Sequence, residues 1–397
     1  MNATATSTAL MQHKLATTLP AITYRNAMRI FNSNLKCSPM FVSSQGPWLV
    51  DANTRKAFDT WLGSGSLIFG HGVSGDHTLT IDMLPEGATT DESLITNLEA
   101  AAGLQLGGIG FQTSGSSAIA RSCRLARAAT GKDKVAVIKS FWHGSDDQFL
   151  FSGATKVPIS AGVPTESQGS SHWFESIDQF IKNAHLSDYA AVLVEPYQGA
   201  DPTETTLTST NAAWRSVLQV NNILLVADEI ITGFRERFGS CTASRECKPD
   251  IVVFGKAIGN GYPVGVVLTT PRVADMTPKN FFWGGTFSAS PTQMGAVTSH
   301  LHKLKQLDYK NLQTNLACIG SRLENVISAH QLKLELVKGC GFARIKTIAQ
   351  IATPRAFLRG GQSDFVILRD VALKEGVYLG ANGLIFPSVH NIEDHLS

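Results

Sequence analysis

The sequence carries almost no net charge and contains no long apolar run, and each absence excludes a class of protein. Lys and Arg together number 34 and Asp and Glu 32, which leaves a formal net charge of +2. So small a charge argues against a protein that binds nucleic acid through bulk positive charge. A membrane-spanning helix needs a run of about 18 apolar residues, and the sequence has none.

The chain also lacks paired cysteines of the CxxC type and any recognisable secretion signal. The first 20 residues show no basic segment followed by an apolar core, so we expect a cytoplasmic protein. We interpret the cysteines as buried or idle thiols in a reducing compartment and expect no metal site, with a zinc site or a disulfide framework as the alternative. The six cysteines are Cys37, Cys123, Cys241, Cys247, Cys318 and Cys340.

Two common nucleotide-binding motifs are missing as well. The glycines between Gly107 and Gly110 do not complete a GxGxxG fingerprint, so a nicotinamide site has little support. Lys256 is followed by Ala257, whereas a Walker phosphate loop requires Ser or Thr after its lysine.

What the chain does contain is enough apolar sequence for a large core. It has 397 residues, of which 43% are hydrophobic and 17% charged, so about two to three domains are expected. Helical patterns such as Ser116–Thr130 alternate with short apolar runs that are typical of strands buried on both faces. This alternation predicts an α/β fold with a mainly parallel sheet. The apolar runs are Lys134–Ile138, Ala190–Val194, Ile223–Ala227 and Ile251–Phe254.

The pattern of expected helices and strands changes near residue 290, and this change suggests where one domain ends and another begins. Pro291–Leu307 and Asn311–Leu332 have helical patterns, and short apolar runs with turns follow them. We predict a large domain over residues 59–290 and a smaller domain built from an N-terminal segment, 1–58, and a C-terminal segment, 291–397.

Three local features carry chemistry, and the first is the small-residue turn Ser114-Gly115-Ser116 at a helix start. The N–H groups at a helix N-terminus have no partner within the helix and lie at its positive end, so the turn is a candidate anion site. A plain capped turn is the alternative.

The second and third features are an acid and a lysine that follow buried strands. Asp228 and Glu229 end an apolar run, which is where α/β proteins bind ligands, although a helix cap or an ion pair is the alternative. Lys256 follows the next run between Gly255 and Ala257, and a lysine in a dry place tends to lose its proton and become a nucleophile. An exposed lysine on a glycine-rich loop is the alternative.

The combination is more specific than its parts. An anion site, then an aspartate at a strand end, then a lysine 28 residues later is the set that pyridoxal 5′-phosphate requires. The lysine bonds to the aldehyde, the aspartate keeps the pyridine nitrogen protonated, and the helix terminus binds the phosphate.

At this point the chain resembles the fold-type I, class III aminotransferases, and within them the glutamate-1-semialdehyde 2,1-aminomutase branch. The resemblance runs from Trp48 to Glu393 and implies a large domain with a mainly parallel seven-stranded sheet plus a smaller α+β domain from both ends of the chain. The motifs that carry it are Gly46–Asp51, Leu67–His71, Ser114–Ser116, Arg124–Ala128, Trp142–Gly144, Glu195–Pro196, Asp228–Arg235, Gly255–Pro263 and Gly284–Ser288.

The resemblance implies two catalytic residues and a cofactor. Lys256 is then the Schiff-base lysine and the proton shuttle, and Asp228 pairs with the pyridine nitrogen. The implied cofactor is pyridoxal 5′-phosphate, with pyridoxamine 5′-phosphate as its intermediate form. Ser114, Gly115 and Ser116 correspond to the phosphate turn.

Further roles follow from the same resemblance. Trp142 matches an aromatic residue that stacks on the cofactor, with His143 beside it, and Ile230 packs on the opposite ring face. Glu195 lies near the cofactor hydroxyl. Thr286 matches a residue that reaches the phosphate of the neighbouring subunit, so a homodimer with shared active sites is implied.

The chain departs from the aminomutase pattern on the substrate side. Ser43 stands where that branch has an arginine, and Ser64 and Ser66 stand in a segment where it has a tryptophan. Asn382 replaces a glutamate, and Ser117 replaces the usual acid after the phosphate turn. These changes predict an altered, roomier and less cationic substrate pocket.

We therefore predict an aminotransferase that moves an amino group between a small-molecule amino donor and a carbonyl acceptor. The implied mechanism is ping-pong, through aldimine and pyridoxamine forms. Glutamate-1-semialdehyde 2,1-aminomutase is the first alternative. Another use of the same cofactor, in decarboxylation or racemisation, and a non-catalytic protein that keeps the fold are the others. Arg235, Arg344 and Gln198 are further candidates to bind a donor carboxylate.

Overall fold

The chain divides into two compact units. The computed structural model describes residues 41–51, 53–73, 92–138, 142–151, 157–199, 201–205, 212–243, 248–347, 363–380 and 382–394. Unit 1 combines residues 1–73, 311–338 and 342–397, and unit 2 combines residues 74–310 and 339–341. The borders near residues 73 and 310 lie further along the chain than the domain boundaries predicted at residues 58 and 290.

The strands and helices are numbered here along the chain. The described strands are β1 (Phe41–Gln45), β2 (Trp48–Asp51), β3 (Lys56–Asp59), β4 (Gly108–Gln112), β5 (Lys134–Ile138), β6 (Ser171–Phe174), β7 (Tyr189–Val194), β8 (Tyr197–Gln198), β9 (Asp201–Thr205), β10 (Leu224–Asp228), β11 (Ile251–Phe254), β12 (Gly265–Thr269), β13 (Leu334–Gly339), β14 (Phe342–Thr347), β15 (Val377–Tyr378) and β16 (Leu384–Ile385). The described α-helices are the single turn α1 (Leu62–Gly65), α2 (Glu92–Ala102), α3 (Gly115–Thr130), α4 (Ile177–Asn183), α5 (Ala212–Val220), α6 (Pro271–Met276), α7 (Pro291–Lys305), α8 (Tyr309–Ala329) and α9 (Ser363–Lys374). Short 3₁₀ turns occur at Asp147–Phe149, Thr165–Gln168, Leu186–Asp188 and Lys256–Ile258.

Unit 2 is built on a seven-stranded sheet in the order β4-β12-β11-β10-β7-β5-β6. The strands from β11 to β6 pair in parallel, and β12 is antiparallel to both of its neighbours. Every residue of β7, β10 and β11 is buried, because a parallel sheet is covered on both faces. The predicted α/β fold with a mainly parallel seven-stranded sheet is confirmed.

Helix α3 packs along this sheet with one apolar face. Ser114 caps its first turn by accepting a hydrogen bond from Ser117 N at 3.1 Å, and Gly131 ends it in a left-handed conformation with φ of 69°. The face that joins the sheet core contains Ala118, Ile119, Cys123 and Ala126. The sheet and the cap together fix where the first turn of α3 lies.

Unit 1 has its own sheets and core. One sheet has the order β1-β2-β3-β15 and another the order β13-β14-β16. Helices α8 and α9 contribute Leu316, Leu323 and Leu368 to a core that also includes Phe58 and Ile345. Segments from both ends of the chain therefore build this unit. No helix in the described ranges is long and apolar enough to cross a membrane.

Candidate active site

Asp228 is the last residue of β10, and its side chain is buried at the carboxyl end of the sheet. It is 4% exposed. One carboxylate oxygen, Oδ1, accepts a hydrogen bond from Ile230 N at 3.1 Å, and the other, Oδ2, lies 2.7 Å from His143 Nδ1. The carboxylate is thereby held in one orientation by the chain that follows it and by an imidazole.

His143 donates from Nδ1 to that carboxylate and is itself 4% exposed. Its other ring nitrogen, Nε2, is buried and has no hydrogen-bond partner within the described residues. A buried polar atom without a partner is costly, so this nitrogen is a feature that a functional site explains better than a packed core does. Because a carboxylate accepts only, the Nδ1 proton is fixed on the side of Asp228.

Lys256 follows β11 directly and adopts a left-handed backbone with φ of 48°, which is uncommon for a residue with a side chain. Burial lowers the pKa of its ammonium group to about 8. The negative charge of Asp228 opposes that shift, Arg235 adds to it, and Glu195 opposes it again. A large fraction of this amine is therefore neutral in mildly alkaline solution.

The first turn of α3 offers backbone N–H groups to the same region. Within the described residues, no group accepts a hydrogen bond from the N–H of Gly115 or Ser116. A Cβ at position 115 would lie 2.7 Å from Ile230 Cδ1, and one at Gly144 would lie 2.7 Å from Ser116 Cα. The absence of side chains at both glycines leaves the backbone of the turn accessible, and Ser145 N supports it by donating to Ser116 Oγ at 3.1 Å.

These groups surround one cavity with a volume of about 130 Å³. The residues that line it are Gly115, Ser116, Trp142, Gly144, Glu195, Asp228, Ile230, Ile231 and Lys256. The structure thus brings seven of the site residues predicted from sequence to one place. His143 stands behind Asp228, and Ser114 caps α3 without lining the cavity.

Glu195 and Glu229 are both buried acids, but they have different surroundings. Glu195 lines the cavity and accepts a hydrogen bond from Gly199 N at 3.3 Å. Glu229 faces away and binds the turn after it, through Thr232 Oγ1, Ser240 Oγ and the N–H of Thr242. The second acid of the Asp-Glu pair therefore anchors a loop, and the first one faces the cavity.

Ile231 lines the cavity although sequence reasoning did not select it. It follows Ile230 in a turn, and both side chains line the cavity, whereas the sequence motif pointed only to Ile230. The backbone conformation of the turn after β10 determines which side chains face the cavity, and the sequence does not reveal that conformation.

Thr286 and the predicted substrate residues do not line this cavity. Thr286 is exposed in a segment of unit 2. Ser43 is exposed on β1, Ser66 Oγ donates to Gly63 O at 2.9 Å, and Asn382 Oδ1 accepts from Leu384 N at 3.2 Å. Ser64 sits in the same turn as Ser66. These four residues belong to unit 1, and their role in substrate binding stays a prediction.

The structure also describes the three further candidates for binding a donor carboxylate. Arg235 is 1% exposed and donates from Nε to Ile231 O at 3.0 Å. Burial lowers the pKa of its guanidinium group to about 10. Gln198 is buried in β8, and Arg344 is buried on β14 of unit 1.

The groups around the cavity fit pyridoxal 5′-phosphate. Unpaired N–H groups at a helix N-terminus suit a phosphate, a buried carboxylate suits a protonated pyridine nitrogen, and an amine with a lowered pKa suits an aldehyde. On a mainly parallel seven-stranded sheet, this arrangement defines a pyridoxal-phosphate-dependent transferase of fold type I.

Comparison with known proteins gives the family. Residues 32–343 match the family model described as aminotransferase class III. The chain therefore belongs to the class III aminotransferases, a family of pyridoxal-phosphate-dependent enzymes.

The proteins similar to this chain include both aminomutases and transaminases. A glutamate-1-semialdehyde 2,1-aminomutase from Desulfovibrio desulfuricans is 28% identical over 76% of this chain and 76% of its own length. The structure is also similar to an omega-transaminase from Sphaerobacter thermophilus, with a TM-score of 0.72, 20% identity and coverage of 93% of this chain and 94% of that one. A glutamate-1-semialdehyde aminomutase from Pseudomonas aeruginosa has a TM-score of 0.73, 19% identity and coverage of 98% and 94%. At such identities the two structural likenesses establish the fold alone.

Proposed function

We propose that this protein is an aminotransferase that moves an amino group from an amino donor to a carbonyl acceptor. One observation carries the proposal: Lys256, Asp228 and the first turn of α3 all line a single cavity. When bound, pyridoxal 5′-phosphate supplies an aldehyde that bonds to amines and a ring that withdraws electrons from the bonded carbon.

In this proposal Lys256 is the group that holds and moves the proton. Its Nζ is an effective base only when neutral, and burial lowers its pKa to about 8, close to working pH. A base whose pKa lies near the working pH accepts a proton and releases it again with similar ease. The same amine is the nucleophile that bonds the cofactor to the chain.

Asp228 and His143 act as a unit on the ring side. The Asp228 carboxylate accepts from Ile230 N and from His143 Nδ1 and is held in one orientation by both, and in that place it would pair with a protonated pyridine nitrogen. His143 does not line the cavity, so we assign it the role of a positioning residue.

The remaining wall residues bind and orient. Gly115 and Ser116 present N–H groups for the phosphate, and Trp142 and Ile230 provide apolar surface for the ring. Glu195 places a second carboxylate in the cavity, on the side of Gly199. Each of these roles is part of the proposal.

The lining of the cavity supports amino transfer between two substrates that carry few carboxylate groups. Lys256 is the one cationic side chain among the described residues that line it. A donor or acceptor with several carboxylates would find no guanidinium group there. Ser43, in place of the arginine expected of an aminomutase, supports the same preference.

Glutamate-1-semialdehyde 2,1-aminomutase is the second candidate. The relatives that favour it carry that name, including the one from Desulfovibrio desulfuricans at 28% identity. An aminomutase rearranges one substrate and needs no separate amino acceptor, so the two candidates differ in what they require.

An experiment with the cofactor-loaded protein separates them. A panel of amines and amino acids is added in turn, and we expect a true donor to remove the visible absorption band of the bound cofactor. A carbonyl acceptor should then restore the band and yield a new amine. Rapid rearrangement of glutamate-1-semialdehyde without any acceptor would instead favour the aminomutase, and no spectral response to any amine would refute both.

We also propose that the protein acts as a homodimer with shared active sites. Thr286 is exposed between two exposed aromatic residues, Phe282 at 72% and Phe287 at 64%. Large exposed aromatic side chains are enriched on surfaces that bind another protein. A second copy of the chain at this segment would cover both rings and bring Thr286 to a partner.

A further inference from the structure

Gln112 is the last residue of β4 and stands two residues before the phosphate turn, Ser114–Ser116. Its side chain is buried. Its Nε2 donates a hydrogen bond to Ser288 Oγ at 3.1 Å, and Ser288 Oγ donates in turn to Gly284 O at 3.0 Å. Thr286 lies between Gly284 and Ser288, so this buried amide holds the segment that carries Thr286 close to the phosphate turn.

Gln293, in the first turn of helix α7, makes a second set of connections. It is also buried, and its Nε2 donates to Gln112 O at 3.3 Å and to Pro263 O at 3.4 Å. Its Oε1 accepts from Ser290 N at 3.4 Å, and Ser290 Oγ accepts from Gln293 N at 3.3 Å, which completes a capping box. One side chain therefore joins the end of β4, the loop after Lys256 and the start of α7.

The loop between Lys256 and Pro263 is held by hydrogen bonds of its own backbone. Gly259 N donates to Lys256 O at 2.9 Å, and Tyr262 N donates to Gly259 O at 2.9 Å. A Cβ at Gly259 would lie 2.6 Å from Tyr262 O, so the loop is closely folded. Because the loop is closed in this way, a bond to Pro263 O restrains the position of Lys256 as well.

The segment that carries Thr286 is joined to β4 at one more point. Trp283 Nε1 donates to Phe111 O at 3.0 Å, so two consecutive residues of β4 bind the two sides of this segment. A Cβ at Gly110 would clash with the Trp283 indole, so the ring fits here because residue 110 has no side chain. The segment therefore has a defined position relative to β4 and to the phosphate turn.

We propose that Gln112 and Gln293 are positioning residues that set the geometry of the cofactor site without lining it. Neither side chain is among those that line the cavity. Their two amide groups fix three parts of the site relative to one another, namely the phosphate turn, the loop after Lys256 and the segment that carries Thr286. This positioning role rests on the function proposed above, because it concerns how the chain holds pyridoxal 5′-phosphate.

Two properties suit buried amides to this task. A buried amide that has made its hydrogen bonds is costly to displace, since its polar atoms would lose their partners away from water. The amide also fixes direction, because its donor and its acceptor atoms point in different directions from one planar group. A molecule that binds the phosphate turn and bonds to Lys256 at once needs both at a fixed separation, and an error of about 1 Å can slow a reaction about 100-fold.

The two amides should have separable effects on cofactor binding. Gln112→Met removes the bond to Ser288 Oγ, but the backbone carbonyl group at position 112 still accepts from Gln293. We therefore expect Gln112→Met to weaken the affinity for pyridoxal 5′-phosphate about threefold and to leave unchanged the saturating rate at which Lys256 bonds to it.

Gln293→Met has a wider effect, because it removes the donor that the phosphate turn and the loop after Lys256 share. We expect the affinity for pyridoxal 5′-phosphate and the saturating rate of bonding to Lys256 each to fall about 10-fold. Pyridoxamine 5′-phosphate has an amine in place of the aldehyde and cannot bond to the lysine. Its affinity should fall less, because it does not need the phosphate turn and Lys256 at a fixed separation.

The test uses the full chain freed of cofactor. Equilibrium dialysis measures the dissociation constants of both cofactor forms, and stopped-flow absorbance at rising cofactor concentration gives the saturating rate at which the visible band appears. Ser290→Ala is the matched control, because it removes the cap of α7 but retains both contacts of the Gln293 amide. It should lower the temperature of unfolding and leave the cofactor constants unchanged. Gln219→Met, at an exposed position of α5, should change none of these quantities.

Three outcomes would overturn the positioning role. One is a Gln293→Met protein that has the affinity and the saturating rate of the wild type. Another is an equal loss of affinity in Gln293→Met and Ser290→Ala, since the amide would then act only through the cap. The third is a Gln112→Met protein that bonds to the cofactor as slowly as Gln293→Met does.

Failure of the positioning role is distinguishable from failure of the proposed function. A wild-type protein that binds no pyridoxal 5′-phosphate would refute both, whereas normal binding by the wild type and by both variants would refute only the role of the two amides. If Gln293→Met does not fold, Gln293→Glu replaces it, because a glutamate keeps the acceptor for Ser290 N and lacks the amide donor. The same losses are then expected.

Discussion

At the scale of single residues, Lys256 shows how the site combines strain and burial. Its backbone is left-handed with φ of 48°, a conformation that costs roughly 1 kcal/mol or more for a residue with a side chain. Lys256 follows Gly255, where a Cβ would lie 3.2 Å from Ile230 Cγ2. A residue with a side chain at position 255 would therefore crowd Ile230. The strained turn places the amine at the cavity, where burial lowers its pKa.

Replacement of Lys256 tests its proposed role. We expect Lys256→Ala to remove the visible absorption band of the bound cofactor and to lower kcat by at least about 10³-fold, because both the nucleophile and the base are lost. Lys248→Ala is the matched control, since Lys248 is exposed and its amine donates to Gly103 O at 3.0 Å, away from the cavity lining. An absorbing, active Lys256→Ala protein would contradict the assignment.

The pH dependence of cofactor capture tests the same amine. The pKa of Lys256 is lowered to about 8, so the neutral, nucleophilic fraction grows as the pH rises through that value. We expect the rate at which apoprotein gains the visible band to increase up to about pH 8 and then to level off. An unperturbed lysine would instead keep the rate rising to about pH 10.4. Stopped-flow absorbance from pH 6 to pH 10 distinguishes the two.

At the scale of elements, helix α3 has two glycines with different tasks. Gly115 lies at the first turn, where a Cβ would come 2.7 Å from Ile230 Cδ1, and Gly131 ends the helix with φ of 69° and nothing within 4 Å of a built Cβ. The first glycine keeps the cavity open, and the second one provides a left-handed C-cap.

These two glycines form a matched pair of variants. We expect Gly115→Ala to weaken cofactor affinity about 10-fold or more, because the methyl group crowds the phosphate turn. Gly131→Ala should lower the free energy of unfolding by about 1 kcal/mol through its left-handed conformation and leave affinity unchanged. Equilibrium dialysis and urea unfolding measure the two quantities, and equal affinities for both variants would argue against a phosphate at this turn.

Lys132 lies between helix α3 and β5, and its ammonium group binds carbonyl groups at the amino ends of two central strands of the sheet. Lys132 Nζ donates to Tyr189 O at 3.1 Å and to Asn222 O at 3.2 Å, and it also contacts Asn221 O. This ammonium group therefore joins the start of β7 to the turn before β10, and partial burial lowers its pKa. Lys134, two residues later, makes a surface ion pair with Asp188 at 2.7 Å.

The two lysines should differ in their effect on stability. Lys132→Met removes the ammonium group that donates to three carbonyl groups, so we expect a loss of about 1–3 kcal/mol in the free energy of unfolding. Lys134→Met removes a pair in which both side chains are more than a third exposed, so its loss should be clearly smaller than that of Lys132→Met. Urea unfolding of both variants is the measurement. Equal losses would mean that the bonds from Lys132 to the three carbonyl groups stabilise the protein no more than the surface ion pair does.

The elements also show what the sequence could predict and what it could not. The buried strands β5, β7, β10 and β11 were identified within a residue, because runs such as Ile251–Phe254 are apolar throughout. The antiparallel insertion of β12 between β4 and β11 was not visible, since Gly265–Thr269 has no feature that encodes strand direction. Among the site residues, the partner of His143 and the inward position of Ile231 depend on turns that only tertiary contacts define.

At the scale of the whole molecule, hydrogen bonds join the start of the exposed segment around Thr286 to β4 and α3 of unit 2. Trp283 Nε1 donates to Phe111 O at 3.0 Å, and Arg124 donates to Phe282 O at 2.7 Å. The ring of Phe282 is therefore presented by a backbone that Arg124 supports. A supported aromatic surface costs little entropy when a partner binds it.

Replacement of one of these rings tests the proposed dimer. We expect Phe287→Ser to shift the protein from dimer to monomer in sedimentation velocity and to weaken cofactor affinity, because shared sites would be separated. Val220→Ser is the matched control, since Val220 is 87% exposed but lies on α5. A monomeric wild type, or a Phe287→Ser protein that stays dimeric with unchanged affinity, would count against the shared site.

The turn at residues 339–341 also has a consequence for how the polypeptide matures during translation. It is part of unit 2, whose other residues end at position 310, and it covers the backbone of Arg235 through Gly341. A nascent chain that has emerged from the ribosome only as far as position 310 still lacks this cover. Completion of unit 2 therefore has to wait until β13 and the turn have been synthesised, and Gly341 cannot cover the backbone of Arg235 before then.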